Sequence, residues 1–483
     1  MKNILLFGAG KSATVLIQYL LENAGKEGWH LYLVDADEGL AKSKIGESDF
    51  GTPVSFDILD AARRKKQIKE ADIVISLLPP ALHYLVAIDC LEFGKNLLTA
   101  SYVDDLLKGL EKKINEAGLL FLCESGLDPG IDHMSAKKML DEIKGEGGKV
   151  SSFISHCGGL VANESDNNPW HYKISWNPRN VVMAGKNGAH YKCEGKLVTK
   201  EYEELFSEKR FVTIPEYQQM SWYPNRDSLP YAAMYQLDHC GTFIRTTLRH
   251  PQFMEGWDKI IALKLTDEEK VYQTDGQSLK SFFNEHLDRI KNQFSSQQLD
   301  DSNRRNTEIL INSLDQIVDE NEGVKSNAFS GMESGLSRNP KNMEDDKLSV
   351  TQLVFLGVVD DITTINKGLC SAADVLQLML EIKLPLTDVD KDLVVMMHEV
   401  EYETEDKKWK RTATLLVKGS NNMETAMAKT VGLPLGISAK LILNGIIKTK
   451  GLQVPVLKEI YEPVLLELAA HGIIFQEELE RIS

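Results

Sequence analysis

The sequence of 483 residues has few cysteines, and none of them are paired in a CxxC motif. Disulfide frameworks and structural zinc sites need closely spaced cysteines or histidines. The six cysteines lie far apart along the chain: Cys90, Cys123, Cys157, Cys193, Cys240 and Cys370. We therefore expect a reduced, cytoplasmic protein without a structural zinc ion.

Long apolar runs and an excess of positive charge are also missing. No continuous run approaches the ~18 apolar residues of a membrane span. Only four apolar residues follow Met1-Lys2-Asn3, which is too few for a secretory signal. The formal net charge of −16 disfavours binding to nucleic acid or to anionic membranes. An acidic small-molecule substrate would need arginines concentrated at one site.

The first 125 or so residues alternate short apolar runs with helical patterns. Strands are predicted over 4–7, 30–34, 73–78, 96–100 and 119–123, and helices over 12–24 and 81–93. This alternation is typical of an α/β domain with a parallel sheet and helices on both faces. The strands are continuously apolar, as expected for a sheet that is buried on both sides.

From about residue 129 the composition changes to aromatic stretches rich in Gly, Asn and Pro. Strands are predicted over 394–402 and 411–417, and amphipathic helices over 306–318 and 372–382. The polar segment 326–349 contains many helix breakers and predicts a long connection. From 436 onward the pattern is helical again, and no internal repeat is visible.

The stretch "FGAGKSA" over residues 7–13 contains parts of two different phosphate-binding loops. A triphosphate loop needs a glycine where Leu5 stands, so that motif is excluded by spacing. The dinucleotide fingerprint GxGxxA fits, with Gly8 for the tight turn and Gly10 for close approach to the pyrophosphate. Ala13 would allow close packing of helix on strand. The alternative interpretation is a glycine turn without a ligand.

Asp35 ends the second predicted strand, somewhat over 20 residues after the glycine loop. A carboxylate at this position accepts hydrogen bonds from ribose hydroxyls and repels a 2′-phosphate. The sequence therefore favours NAD(H) over NADP(H). The alternative is an aspartate that merely ends a strand.

Four further stretches combine polar side chains with turn residues: "TASY" at 99–102, "ESGLDPGIDH" at 124–133, "HCGG" at 156–159 and "YPNRDS" at 223–228. Together with "ADIVISLLP", "DNNPWHYKISWNPR", "IRTTLR" and "TVGLPLGISAKLILNG", they run in order through almost the whole chain. This set resembles the saccharopine dehydrogenase family, glutamate-forming type, of lysine metabolism. "GLDPGIDH" and "YPNRDS" are far more specific than the glycine loop.

The resemblance implies three domains and a reaction. The expected fold is a Rossmann-type dinucleotide-binding domain over 1–128, completed by C-terminal helices from about 436–483. An α+β substrate domain on a mixed sheet would comprise 129–275 and 390–435, and 276–389 would form an inserted, mostly helical domain. The enzyme would interconvert L-saccharopine with L-glutamate and L-2-aminoadipate 6-semialdehyde, as a homodimer. NADP(H) is possible by resemblance, although the fungal NADP-using members have a basic residue after the second strand where this chain has Asp35.

The resemblance also assigns site residues. Those expected to contact the substrate are Ser101, Tyr102, Asp128, Arg226, Thr247 and Arg249, with Cys157 beside the reacting amine. Those expected to contact the dinucleotide are Gly8, Ala9, Gly10, Lys11, Ser12, Ala13, Asp57, Ile58, Leu78, Ser101 and Trp176. The candidates for catalysis are Asp128 as an electrostatic partner of the amine, Tyr102 as a proton donor and Cys157 as an acid–base group.

The chemistry of the residues themselves agrees with these roles. Saccharopine carries three carboxylates, for which bidentate arginines are the expected clamps. Arg245, Thr247 and Arg249 alternate along a predicted strand and therefore share one face, while Arg226 would come from a separate loop. No third ligand lies at a suitable spacing from His133 and His156, so no metal site is expected.

Blander interpretations of the same residues stay open. Asp128-Pro129-Gly130 is also an ordinary turn sequence, Cys157 a small buried residue, Arg249 a solvated arginine and Trp176 a core side chain. Two rival functions remain as well. One is a related imine reductase such as a carboxynorspermidine-type dehydrogenase, and the other is a dinucleotide-binding regulator without catalysis.

Overall fold

The structure is a computed structural model that describes residues 1–296, 310, 311, 314, 340–405 and 407–482. Its first sheet contains β1 (Lys2–Phe7), β2 (Trp29–Asp35), β3 (Gly51–Ser55), β4 (Ile73–Ser76), β5 (Asn96–Thr99) and β6 (Leu120–Leu122). The C-terminal strand Gly451–Gln453 joins it, giving the order Gly451–Gln453, β6, β5, β4, β1, β2, β3. Every neighbouring pair is parallel. The predicted Rossmann-type parallel sheet is thus confirmed.

Helices connect these strands: Thr14–Glu27, Glu38–Ile45, Ala61–Glu70, Pro80–Phe93, Asp105–Lys108 and Glu111–Glu116. Sequence patterns did not predict β3 or the helices Glu38–Ile45 and Ala61–Glu70. All five residues of β3 are half-buried and the strand contains Pro53, so neither periodicity nor apolar content marks it. A short edge strand of this kind is formed because its neighbour β2 offers a free row of hydrogen-bonding groups.

The second sheet is mixed and has ten strands in the described part of the chain, as predicted for the second domain. Its strands are β7 (Lys149–Val161), β8 (Ala189–Cys193), β9 (Lys196–Lys200), β10 (Phe211–Thr213), β11 (Gln219–Pro224), β12 (Arg226–Asp227), β13 (Thr242–Arg249), β16 (Asp392–Thr404), β17 (Lys407–Lys418) and β19 (Gln476–Arg481). A separate two-stranded sheet is formed by β14 (Lys270–Gln273) and β15 (Leu369–Ser371), and the strand Gly451–Gln453 of the first sheet is β18. The main path runs β10-β11-β13-β7-β16-β17-β19. β13 and β7 are parallel, whereas β7 and β16 are antiparallel.

Helices pack at one end of this second sheet around a cluster of buried aromatic side chains that includes Trp170, Trp257 and Phe282. They are Pro251–Ala262, Leu279–Ser296, Pro340–Leu356 and Ala372–Lys383, with the shorter Pro178–Val182 and Tyr202–Leu205. The short helix Leu229–Met234 packs instead in a separate cluster with Tyr235 and Phe243. The predicted helix 372–382 is confirmed. The predicted connection 326–349 is wrong for its last ten residues, which are helical; 326–339 lie outside the described residues. Of the predicted helix 306–318, only 310, 311 and 314 are described, and all three are helical.

The C-terminal region contributes to both sheets. Helix Ala426–Leu443 packs on helix Thr14–Glu27, and a Cβ added at Gly432 would lie 2.8 Å from the backbone nitrogen of Leu16. By length and composition this helix could cross a membrane, but most of it is buried within the protein, which explains its apolar composition. The prediction of helix alone after residue 436 is wrong, because β18 and β19 flank helix Lys458–Ala470.

The two sheets meet through helix Ile131–Gly145 and one shared apolar cluster. This cluster combines Leu98 and Leu122 of the first sheet with Cys157 and Met396 of the second. The carboxyl edge of the parallel sheet therefore faces β7 and β13. Ligands of open α/β sheets bind at this edge.

Candidate active site

The glycine loop makes the tight turn that its sequence predicts. Gly8 has φ +100°, and a Cβ there would lie 2.8 Å from the carbonyl oxygen of Leu77. Gly10 begins the short helical turn Lys11–Ala13, and a Cβ there would meet no atom within 4 Å. Ala13 is buried behind the loop. The loop thus leaves an open, backbone-lined space that fits a pyrophosphate group.

Asp35 is in direct contact with this loop. Its carboxylate accepts a hydrogen bond from the N–H of Ala9 at 2.8 Å and another from the N–H of Asp37 at 3.0 Å. The carboxylate therefore lies beside the glycine turn, where a dinucleotide of this fold places its ribose.

The other predicted dinucleotide contacts follow β3 and β4 along the same edge. Asp57 accepts a hydrogen bond from the N–H of Leu59 at 2.9 Å, and Ile58 and Leu78 are half-buried in the cluster beneath them. Arg64 is buried and paired with Asp89 at 2.6 Å, and it holds this loop by donating to the carbonyl of Ile58 at 2.5 Å. Trp176 comes from the second domain and packs against apolar clusters of both domains.

A buried histidine, missed by sequence reasoning, links the ends of β4 and β5. His83 is 2% exposed, with Nδ1 2.8 Å from the hydroxyl of Ser76 and Nε2 2.8 Å from the hydroxyl of Ser101. Burial lowers the pKa of His83 to about 4, so its imidazole is neutral near pH 7. Ser101 is one of the predicted contact residues for both substrate and dinucleotide.

Asp128 lies in a buried charge cluster next to Tyr102. Arg245 Nη2 is 2.5 Å from Asp128 Oδ1 and 2.7 Å from Asp132 Oδ2. The hydroxyl of Tyr102 donates to Asp128 Oδ1 at 3.3 Å. The ring of Tyr231 lies 4.2 Å below the guanidinium of Arg245. Arg245 therefore serves as the counterion of two aspartates.

Burial dominates the protonation of this cluster. It raises the pKa of Asp128 despite the opposing charge of Arg245. It also raises the pKa of the Tyr102 hydroxyl well above the usual range, an effect that Asp128 reinforces. Asp132 behaves differently, because His133 and Arg245 outweigh burial and lower its pKa.

Behind this cluster, His133 completes a fully buried polar network. Its Nδ1 lies 2.6 Å from the hydroxyl of Tyr235 and its Nε2 lies 2.9 Å from Glu124 Oε2. His156 is on the opposite side of the second sheet, 3.1 Å from Glu399. Each imidazole is thus engaged with protein groups, and the described residues contain no group of three or more His, Cys, Asp or Glu suited to a metal ion.

Of the two predicted arginine clamps, one is buried and the other is exposed. Arg249 is 4% exposed, its Nε has no hydrogen-bond partner, and within the described ranges it forms no ion pair. The interpretation of Arg249 as a solvated arginine is therefore wrong. Arg226 is exposed, and its guanidinium lies 5.0 Å from the ring centre of Tyr102.

Cys157 and Thr247 face each other on β7 and β13, which pair in parallel at these two residues. Cys157 is buried, and burial followed by the charge of Asp128 raises the pKa of its thiol well above the usual range. The thiol is therefore neutral near pH 7, and it lies close enough to Asp128 for the charge of that carboxylate to raise its pKa.

These elements bring together Ser101, Tyr102, Asp128, Cys157, Arg226 and Thr247 where the first sheet meets the second. The strand β13 places Arg245 and Arg249 at alternate positions, as predicted. Their surroundings differ, however, because Arg245 is neutralised by two aspartates, whereas no carboxylate among the residues described pairs with Arg249.

Comparisons with known proteins agree with this architecture. The family model described as "Saccharopine dehydrogenase NADP binding domain" matches residues 4–122, and "Saccharopine dehydrogenase C-terminal domain" matches residues 126–473. A solved structure of apo saccharopine dehydrogenase (L-Glu forming) from Saccharomyces cerevisiae is similar with a TM-score of 0.81 and 29% identity, over 99% of this chain and 100% of that chain.

Relatives of two lengths are found. Saccharopine dehydrogenase (NADP+, L-glutamate-forming) of Schizosaccharomyces pombe is 32% identical over 481 residues, covering 99% of each protein. The alpha-aminoadipic semialdehyde synthase of Arabidopsis thaliana is 35% identical over 93% of this chain, which spans only 40% of that longer protein. Consecutive family models across almost the whole chain, with a relative of equal length, establish that this chain belongs to the saccharopine dehydrogenase family.

Proposed function

We propose that this chain is an oxidoreductase that interconverts L-saccharopine with L-glutamate and L-2-aminoadipate 6-semialdehyde. The observation that carries the proposal is the combination of a dinucleotide loop, an acidic cluster around Asp128 and a buried Arg249 that forms no ion pair with the described residues. The fungal relatives of equal length bear the name of this activity. Such a site suits a substrate that has both carboxylates and a cationic nitrogen.

A nicotinamide dinucleotide, held by the glycine loop and Asp35, would supply the hydride acceptor or donor. The chain's own task is to bind and orient the substrate. Arg249 would bind one substrate carboxylate, because a buried guanidinium without a counterion is costly until an anion pairs with it. Arg226 would bind a second carboxylate from the solvent side. Two separate clamps fix the reacting carbon against the coenzyme.

Asp128 would stabilise the cationic nitrogen of the iminium. Asp128 shares the guanidinium of Arg245 with Asp132, so an ionised Asp128 keeps part of its negative charge uncompensated. A preorganised charge of this kind favours a cation that develops during the reaction. Tyr102, kept as a neutral phenol by burial, could pass a proton to the nitrogen. The raised pKa of the Cys157 thiol favours a packing role over that of an acid–base group.

The direct experiment incubates the purified protein with saccharopine and NAD+ or NADP+ and follows the absorbance of the reduced coenzyme. Reduction that depends on saccharopine supports the proposal. No reduction with either coenzyme, although the protein binds one, would favour the non-catalytic regulator. If Arg226→Ala or Arg249→Ala retained full activity, a related imine reductase for a less acidic substrate would be favoured instead.

The coenzyme is the point where we depart from the names of the relatives. The N-terminal family model and the fungal relatives are named for NADP. We infer a preference for NAD(H) in this chain, because the Asp35 carboxylate lies against the glycine loop and accepts a hydrogen bond from the N–H of Ala9 at 2.8 Å. A 2′-phosphate at this position would be repelled. Comparing kcat/KM for both coenzymes in wild type and in Asp35→Ala combined with Ala36→Arg tests this inference; an unchanged NADP(H) efficiency would contradict it.

A homodimer in the cytoplasm is also a proposal. It derives from the family resemblance and from the composition. Light scattering coupled to size-exclusion chromatography tests the dimer, and a monomer at working concentration would contradict it.

A further inference from the structure

We propose that His83 is a positioning residue that orients the Ser101 hydroxyl at the junction of dinucleotide and substrate. The proposal deepens the proposed function, since it rests on Ser101 belonging to that site. His83 itself touches neither ligand in this interpretation and acts only through Ser101.

Both ring nitrogens of His83 are engaged in contacts with hydroxyl groups of the protein. The imidazole fills the gap between two neighbouring parallel strands, whose last residues Ser76 and Thr99 are paired in register. Nδ1 lies 2.8 Å from Ser76 Oγ, and Nε2 lies 2.8 Å from Ser101 Oγ and 3.4 Å from Thr99 Oγ1. Both ring nitrogens are therefore engaged, and His83 has no free nitrogen for proton transfer to a ligand.

The imidazole also fixes the direction of the Ser101 hydroxyl. The backbone N–H of Ser101 donates to Thr99 Oγ1 at 3.2 Å, so the main chain is held from one side while His83 holds the side chain from the other. A neutral imidazole has one donor and one acceptor nitrogen, so the hydroxyl must take the complementary role toward Nε2. The contact with His83 uses one hydrogen-bonding position of the Ser101 hydroxyl and leaves the others for a ligand.

Amide side chains can separate this role from general packing. The amide of His83→Gln extends to where Nε2 stood, whereas that of His83→Asn reaches only the position of Nδ1. We expect His83→Gln to keep kcat/KM within about threefold of wild type and His83→Asn to lose about tenfold, the range of one buried hydrogen bond. Equal losses in the two variants, or a smaller loss in His83→Asn, would overturn the proposal.

A double-mutant cycle gives the decisive result. If His83 acts through Ser101, the variant His83→Asn/Ser101→Ala should be no slower than Ser101→Ala alone, because residues that act as one unit are not additive. Losses that multiply would overturn the proposal. Thermal unfolding of each variant shows whether all are compared in the folded state, and His83→Ala/Ser101→Ala completes a second cycle should the asparagine variants fail to fold.

A readout without catalysis separates this proposal from the proposed function. In the nitrogen-correlated NMR spectrum of the imidazole rings, His83 should keep its neutral form from about pH 8 to about pH 5.5, because its pKa lies about 4. Its Nε2 signal should shift in Ser101→Ala, and the affinity for reduced dinucleotide should fall in both Ser101→Ala and His83→Asn. If the protein does not oxidise saccharopine, these readouts still test His83. An unchanged Nε2 signal in Ser101→Ala would refute the contact.

Discussion

Replacing Arg245 by methionine tests the interpretation of the buried charge cluster. The guanidinium, 3% exposed, is the counterion of Asp128 and Asp132. Removing it leaves two carboxylates together in the interior. Breaking a buried pair in this way costs about 3–5 kcal/mol of the free energy of unfolding. The cost cannot exceed that of protonating one of the two aspartates, which would remove the repulsion. Near pH 7 this protonation costs about 4 kcal/mol, from about three pH units at about 1.4 kcal/mol each.

The same reasoning fixes the pH dependence. Without Arg245, the folded-state pKa of the aspartates rises above the unfolded value, so the destabilisation is present above the unfolded pKa and grows with pH. Between about pH 7 and about pH 5.5 the penalty of Arg245→Met should therefore fall by about 2 kcal/mol. Urea unfolding followed by intrinsic fluorescence at both pH values measures it.

Two variants serve as controls for this experiment. Arg226→Met removes an exposed arginine from the same site and should change the free energy of unfolding by no more than about 0.5 kcal/mol. Adding Asp132→Asn to Arg245→Met removes one of the unpaired charges and should recover part of the loss. A penalty below about 1 kcal/mol, or one independent of pH, would refute the view that Arg245 neutralises the two aspartates.

Three further predictions follow from the contacts of single residues. Asp128→Asn should lower kcat/KM about 100-fold. Its pH profile should also lack the fall toward low pH that we expect for wild type, because burial raises the pKa of Asp128; a profile that keeps this fall would contradict the prediction. Gly8→Ala should lower the free energy of unfolding by about 1–3 kcal/mol, because the φ of Gly8 is +100°. Gly10→Ala should leave the free energy of unfolding unchanged, because a Cβ at Gly10 meets no atom within 4 Å. Chemical denaturation of both variants measures the difference. Asp392→Ala should cost about 1–2 kcal/mol, because that carboxylate accepts hydrogen bonds from the first two N–H groups of helix Ala426–Leu443; an unchanged melting temperature would contradict it.

The sequence by itself determined the parallel sheet, the glycine turn and the family. These features depend on local signals: apolar runs of strand length, a glycine where φ is positive, and ordered motifs such as "GLDPGIDH". It also determined that Arg245 and Arg249 share one face of β13, because side chains alternate along a strand. Each of these conclusions needs only short stretches of sequence and the order in which they follow one another.

Only the tertiary structure decided what those side chains do. Arg245 is neutralised by Asp128 and Asp132, which are 117 and 113 residues away in sequence, whereas Arg249 on the same strand has no carboxylate partner in the described part of the chain. His83 and Ser101 meet because helix Pro80–Phe93 crosses between two strands. The reason is physical: the charge and protonation of a buried group depend on which distant groups share its low-dielectric surroundings. The spacing of residues along the chain does not reveal which distant groups lie next to a buried side chain.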